Sequence, residues 1–322
     1  MIRNADEKVL ITGGAGFIGR HLTRRLLDRG CEYIRIFSRD EHKHEVMDQE
    51  FDHDKRIHYI LGSVRDLPTL ERAMRGVDIC VHASALKIIP RLEYSPWEAV
   101  STNVYGAYNV IQAAISEGVK KVVGISSDKA VNPINVYGNT KALAERLFVR
   151  ANVYTQKKTL FSMVRYGNVV NSTNSLVPCF MKQRETRILT ITDNNMTRFL
   201  MMAEDAMDTI EFALANMVGG EVFVRKSPSA YITDIAKAIC PECEIKIIGI
   251  RPGEKLHEAL LSPYERQFTV DKDRYFIILP DPPITTNYKW AYPKPVIGQE
   301  YSSLNNPHLL GPPGVRKLLG VF

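Results

Sequence analysis

Val9-Leu10-Ile11-Thr12-Gly13-Gly14-Ala15-Gly16-Phe17-Ile18-Gly19 is a short apolar run that breaks into a glycine cluster and resumes with helical spacing at Phe17, Ile18, Leu22, Leu26 and Leu27. Strand, tight turn and helix in that order are the context a phosphate-binding loop needs. Gly13, Gly16 and Gly19 allow the turn to be tight and the backbone to approach a pyrophosphate. The free N–H groups at the helix start, on Phe17, Ile18 and Gly19, then meet the anion. The position of the motif, more than the glycines themselves, points to a bound dinucleotide.

Further apolar runs follow at residues 34–37, 57–61, 79–82, 122–126 and 161–164. Helix-length segments lie between them at 67–74, 96–117 and 136–151. Short continuous apolar runs alternating with amphipathic helices predict an α/β fold: a Rossmann-like, doubly wound parallel sheet buried on both faces. Residues 1–166 are read as this dinucleotide-binding domain. The texture then changes. Residues 168–175 are polar and loop-like, 187–193 read as a strand, 203–217 as a helix, Phe223 opens a strand and 232–239 form a helix. Proline and glycine become frequent from 252 onward. Residues 167–322 are thus expected to form a smaller α+β substrate-binding region, with some segments returning to the first sheet.

Length and composition agree. At roughly 100–200 residues per domain, 322 residues make about two domains. Apolar residues are 45% and charged residues 24%, which excludes a disordered, fibrous or disulfide-stapled chain. The net charge of +6 is spread out, with no Lys/Arg run of the kind that tracks nucleic acid. No stretch approaches the roughly 18 apolar residues of a membrane span, and the polar N-terminus lacks a secretory core, so no membrane is expected. Cys31, Cys80, Cys179, Cys240 and Cys243 are few and odd in number, which suits reduced thiols and a cytoplasmic setting. Cys240 and Cys243 form a single C-x-x-C without a second pair, a weak signal for metal or redox use.

The second strand runs into Ser38, Arg39, Asp40 and, close behind, Lys43. An NAD site usually carries an acid there for the ribose 2′-hydroxyl. A hydroxyl and a guanidinium suit a 2′-phosphate, which predicts NADP; the alternative is a surface Arg39 with Asp40 on the ribose. Asp66 has two open readings, an acceptor for the adenine amino group or the N-cap of the helix that follows.

The fifth strand ends in Ser126-Ser127-Asp128-Lys129, and Tyr137 and Lys141 follow at helical i, i+4 spacing. A free phenol ionises near pH ~10. A neighbouring ammonium and a positive nicotinamide favour the phenolate, and about 3 units of lowering corresponds to about 4 kcal/mol. Tyr137 is therefore expected to act as a base toward a sugar hydroxyl. Asp128 and Lys129, at the carboxyl end of a central strand, add an acid and an amine that an elimination uses and a simple dehydrogenase or epimerase does not.

With these residues the sequence resembles the extended short-chain dehydrogenase/reductase superfamily and, more closely, the C5-inverting UDP-N-acetylglucosamine 4,6-dehydratases without a membrane segment. The resemblance rests on residues 12–19, 37–41, 126–141, 164–169, 191–199 and 249–258. It implies a cycle on a UDP-sugar. Tyr137 takes the 4-hydroxyl proton as hydride leaves C4 for NADP. Lys129 removes the acidified C5 proton, Asp128 protonates the departing C6 hydroxyl, and hydride returns to C6. Lys141 would hold the nicotinamide ribose and depress the Tyr137 pKa, and Ser127 would bond the sugar 4-oxygen. Lys87 would lie near the sugar, and Asn168, Arg198, Arg251 and Glu254 would bind the nucleotide diphosphate. Membrane-bound members carry Met at the place of Tyr137. Homo-oligomerisation is also implied. This sequence departs from the family pattern at 88–90, at Ser63 and at 171–175, where a glycine turn and a basic side chain are absent. The alternatives are a nucleotide-sugar 4-epimerase, with no use for Lys129, and a non-catalytic NADP-binding regulator.

Overall fold

Parallel strands covered by helices on both faces must be apolar on both faces, and Val9, Leu10 and Ile11 are each fully buried. The computed structural model of the protein describes residues 7–155, 158–172, 175–284, 288, 290 and 298–320. The first six strands are β1 (Val9–Thr12), β2 (Ile34–Ser38), β3 (Ile57–Leu61), β4 (Ile79–His82), β5 (Lys121–Ile125) and β6 (Leu160–Arg165). They are followed by β7 (Asn168–Val169), β8 (Ile188–Ile191), β9 (Thr197–Met201), β10 (Val222–Arg225), β11 (Ser229–Tyr231), β12 (Glu244–Ile247), β13 (Ala259–Leu261), β14 (Thr269–Lys272), β15 (Tyr275–Ile278), β16 (Tyr301–Ser302) and β17 (Leu309–Leu310).

Nine strands form one sheet in the order β14-β15-β10-β6-β5-β4-β1-β2-β3. Pairing is parallel from β3 through β10, and β15 alone runs against the sheet, pairing antiparallel with both β10 and β14. Val9 of β1 is in register with Ile34 of β2 and with Ile79 of β4. The strand order therefore reverses at β1, and the crevice beyond the carboxyl ends of β1 and β4 is where such sheets bind ligands. Beyond residue 166 the chain returns to the large sheet through β10, β14 and β15. The other late strands form a four-stranded sheet, β17-β11-β9-β7, and the pairs β8–β12 and β13–β16.

Two apolar cores sit on the two faces of the large sheet. A third, built around Phe180, Leu189, Leu200, Ile235 and Ile239, belongs to the later segments. The helices that matter for the site are α1 (Phe17–Asp28), α2 (Glu41–Glu50), α3 (Leu67–Met74), α4 (Ile89–Tyr94), α5 (Pro96–Ala99), α6 (Gly106–Ser116) and α7 (Val136–Ala151). The single helix expected over 96–117 is interrupted by a π-helical turn, Val100–Tyr105. That turn buries Asn103, whose amide brackets the backbone of Leu86, accepting from Leu86 N at 2.8 Å and donating to Leu86 O at 3.0 Å. Wider turns of this kind gather at functional sites, and this one anchors the loop that carries Lys87.

Cys240 and Cys243 are joined in a disulfide, contrary to the expectation of five reduced thiols, while Cys31, Cys80 and Cys179 are free. Among the described residues no helix is long and apolar enough to cross a membrane.

Arg165 of β6 is fully buried between Glu145 of α7 and Glu265, 2.6 Å from the latter, and donates to Leu260 O at 2.9 Å. Removing one partner of a buried pair leaves an uncompensated charge. Arg165→Met is thus expected to destabilise the protein by about 3–5 kcal/mol in urea unfolding; a loss under about 1 kcal/mol would show the network to be dispensable.

Candidate active site

A cleft of about 1160 Å³ opens at the carboxyl ends of the parallel strands. Its floor at one end is the glycine turn. Gly13 has φ +68°, and a Cβ there would meet the Ser84 backbone at 2.9 Å; a Cβ on Gly19 would lie 2.1 Å from Gly14 O. Both positions demand glycine, one for its dihedral and one for helix–turn contact. Gly16 caps α1 without a side-chain hydrogen bond, no acid stands in the first turn, and Gly16, Phe17, Ile18 and Gly19 wall the cleft. Unsatisfied N–H groups and the positive end of the helix dipole thus face an open space, which fits a pyrophosphate.

Ser38, Arg39 and Lys43 wall the same end. Ser38 Oγ lies 2.7 Å from His44 Nε2, inside the fold. Asp40 is already engaged, capping α2 at Lys43 N and lying 3.1 Å from Lys43 Nζ, and these contacts hold its carboxyl below the ordinary range. Asp66 caps α3, accepting from Thr69 N at 3.3 Å and from the Thr69 hydroxyl, and is not part of the cleft wall.

Ser126, Ser127, Asp128, Lys129, Tyr137 and Lys141 meet on the opposite wall. Asp128 and Lys129 form a short 3₁₀ turn as the chain leaves β5, fixed by Asp128 N donating to Tyr166 O at 3.1 Å. Asp128 Oδ1 accepts from Ser127 Oγ at 2.7 Å and from Lys129 Nζ at 3.0 Å. Tyr137 and Lys141 share the buried face of α7 with Ala144, Glu145 and Phe148, as the i, i+4 spacing predicts. Asn135 caps that helix through Gly138 N at 2.7 Å and, with its amide nitrogen, donates to Gly253 O at 2.7 Å. One side chain therefore ties the start of α7 to the loop of Arg251 and Glu254.

The charges differ from the sequence expectation in one respect. Burial pushes the Tyr137 phenol up; Lys129 and a hydrogen bond from Ser127 pull it down, and Asp128 and Glu258 push it up again, leaving it above its ordinary value. The expected lowering is thus not present in the protein alone, and the cation acting on the phenol is Lys129. Lys141 instead donates to Ile125 O at 2.5 Å. Burial lowers its amine to about 8 against the opposing pull of Glu145. Burial also works against the Lys129 ammonium, but Asp128 and Glu258 outweigh it and hold the proton on more firmly than usual.

Lys87, Asn168, Arg251 and Glu254 all line the cleft. Asn168 Oδ1 accepts from Lys129 Nζ at 3.4 Å, and Arg251 and Glu254 pair at 3.9 Å. Arg198 is not on the cleft wall: its guanidinium donates to Thr197 O at 2.8 Å and Leu256 O at 3.0 Å. In the atypical loop, Ser172 and Ser175 reach the cleft, while Thr173 and Asn174 lie outside the described residues, as does most of 285–297. Among the described residues, four buried polar atoms on the wall have no hydrogen-bond partner: Ser126 Oγ, Asp128 Oδ2, Tyr166 OH and Ser175 Oγ. Buried polar groups are nearly always satisfied, so this orphaned set marks where a polar ligand fits. Tyr166 and Ser126 carried no signal in the sequence beyond their nearness to strand ends.

Residues 9–280 match the family described as polysaccharide biosynthesis protein. The chain belongs to that family. Among its relatives is a Campylobacter jejuni protein named UDP-N-acetylglucosamine 4,6-dehydratase (inverting), 45% identical over 85% of this chain and 83% of its own. A Rickettsia conorii protein named UDP-glucose 4-epimerase is 42% identical over 85% of this chain and 83% of its own. The X-ray structure of Pen from Bacillus thuringiensis superposes with a TM-score of 0.89 at 35% identity, covering 98% of this chain and 97% of that one. The large parallel sheet is of the Rossmann type that the glycine motif and the alternating strands and helices predict.

The Lys141 shift has a sign that stability measurements can read. Its native pKa is about 8, against an ordinary 10.5. Below about 8 both native and unfolded forms are protonated, and the full cost of burying the ammonium falls on the native state. Between about 8 and 10.5 the unfolded chain holds more protons, so stability rises with pH. The protein is expected to gain stability over Lys141→Met by up to about 1.4 kcal/mol per pH unit in that window, measured by urea melts; a gap that does not widen with pH would exclude the shift.

Proposed function

We propose that the protein is an NADP-dependent UDP-N-acetylglucosamine 4,6-dehydratase that inverts C5. The observation that carries this reading is the Asp128–Lys129 pair at 3.0 Å, the acid buried and the amine on the cleft wall, with no partner for Asp128 Oδ2 among the described residues, in the same cleft as Tyr137. A 4-epimerase needs the tyrosine but no second acid and amine, whereas loss of water across C5 and C6 needs both. The names of the 45% identical relatives support the substrate and the inversion. The epimerase reading has the Rickettsia relatives in its favour.

NADP, when bound, supplies the hydride acceptor at C4 and the hydride returned at C6. Gly13, Gly16, Phe17, Ile18 and Gly19 would hold its pyrophosphate. Ser38, Arg39 and Lys43 would hold the 2′-phosphate, and Lys141 the nicotinamide ribose. Asp40 is occupied as the cap of α2 and as the partner of Lys43, which leaves Arg39 as the cation there for a 2′-phosphate and supports NADP over NAD. Asn168, Arg251 and Glu254 would bind the diphosphate end, with Lys87 nearer the sugar.

Burial keeps the proton on Tyr137 in the protein alone, so the phenol must first ionise beside Lys129 and a positive nicotinamide; as phenolate it takes the 4-hydroxyl proton while Ser127 bonds the 4-oxygen. The ketone formed at C4 acidifies C5–H. Lys129 is an ammonium at rest, so it must lose a proton before it can act as a base. Asp128 Oδ1 is the nearby acceptor, and passing one proton across the 3.0 Å bond creates an amine and an acid together. The amine then takes the C5 proton, the C5=C6 bond forms, and the acid gives its proton to the C6 hydroxyl, which leaves as water. Reprotonation of C5 on the opposite face is the inversion.

Incubation with UDP-N-acetylglucosamine in deuterated water, followed by NMR, is expected to show a 6-methyl group and deuterium at C5. A galacto product without loss of the 6-hydroxyl would establish the epimerase reading, and an unchanged sugar a non-catalytic one. Lys129→Met is expected to lose dehydration by at least about 10²-fold. Arg39→Ala is expected to weaken NADP binding by roughly 10-fold or more while sparing NAD, as the loss of a charged hydrogen bond requires. Equal affinities of the wild type for the two cofactors would remove the NADP assignment.

A further inference from the structure

Lys129 has a second carboxylate beside it that does not itself wall the cleft. Glu258 is 3% exposed, and its Oε1 lies 3.6 Å from Lys129 Nζ. Its Oε2 is buried without a hydrogen-bond partner among the described residues, and Lys255 Nζ lies 3.9 Å from it. Lys255 in turn donates to Val131 O at 2.6 Å, just beyond the Asp128–Ala130 turn. The backbone of Glu258 is held from both sides by Ser303, whose Oγ accepts from Glu258 N at 3.0 Å and whose N donates to Glu258 O at 2.7 Å. A buried carboxylate is costly unless paired, and this one is fastened with its charge toward the amine.

We propose that Glu258 is a positioning residue for the elimination: it holds the Lys129 amine against the substrate side of the cleft and, with Asp128, sets how readily that amine gives up its proton. This rests on the dehydratase reading above. The charged and titratable groups around Lys129 are Asp128 and Tyr137 on its own wall, Lys87 on the facing loop, Arg198 of β9, and Lys255 and Glu258 before β13. Of these only Asp128 and Glu258 are carboxylates, and Glu258 meets the cleft through Lys129, with a lesser pull on the Tyr137 phenol. Taking away its charge makes the amine easier to deprotonate and leaves it free to swing. Taking away Lys255 removes a cation and leaves Glu258 facing Lys129 alone, which makes the amine harder to deprotonate.

The test follows the two half-reactions separately in the full-length, NADP-loaded protein mixed with UDP-N-acetylglucosamine. Reduced-nicotinamide absorbance appears as C4 is oxidised and decays as elimination lets the hydride return. In Glu258→Gln the decay is expected to slow by roughly tenfold relative to the appearance. Its pH dependence is expected to move about one unit toward acid, the size that one opposite charge at this distance imposes. Glu258→Asp should restore the wild-type pH dependence. Lys255→Met should move it toward alkali, and this decides the matter if Glu258→Gln does not fold. A pH dependence of decay that is unmoved in the variants, or appearance and decay slowed equally, overturns the assignment and leaves Glu258 a structural residue. A wild type with no absorbance transient overturns the dehydratase reading itself, and the assignment with it.

Discussion

An ammonium withdrawn from water must find its compensation within the fold, and that constraint governs the reactive end of this protein. Lys129 meets Asp128 on its own turn and Glu258 from a segment more than a hundred residues later. Asp128 is the nearer partner at 3.0 Å, and Glu258 adds a second carboxylate at 3.6 Å. The large sheet supplies the amine and one acid, and the later segments supply the second acid, the Lys255 that balances it and the Ser303 that fixes it. The electrostatics of the site therefore join residues from both parts of the chain around one amine.

The sheet supplies the other half of the arrangement. Because strand order reverses at β1, the loops after β1 and β4 diverge and leave a gap at their carboxyl ends. The glycine turn puts helix N–H groups at one side of that gap, and the turn after β5 puts the acid–amine pair at the other. The unpartnered oxygens of Asp128, Tyr166, Ser126 and Ser175 lie along it, so the polar demand of the wall matches a long, polar, anionic molecule.

Local physics made much of this legible in the sequence. Strands buried on both faces read as unbroken apolar runs, and β1 to β6 fall within about a residue of where those runs stood. The i, i+4 pair on α7 and the pair at 128 and 129 needed only helix geometry and a strand end. What was not legible depends on contacts between distant segments. The π-helical turn at 100–105 exists because Asn103 reaches the Leu86 backbone. Arg198 is drawn away from the cleft wall by carbonyls, one of them nearly sixty residues on. The Tyr137 phenol is raised, not lowered, because the burial that a single helix pattern cannot report outweighs its cationic neighbour. Cys240 and Cys243 looked like an unpaired motif and are bonded to each other. Glu258 stood inside a recognised run without any sign that it would face Lys129.

Asn135 spends one amide on two tasks, its oxygen on the first turn of α7 and its nitrogen on Gly253. The mouth of the cleft and the helix that carries the phenol are thereby geared together. Displacing the loop of Arg251 and Glu254 would strain the Asn135–Gly253 bond and, through the same side chain, the cap of the helix that carries Tyr137.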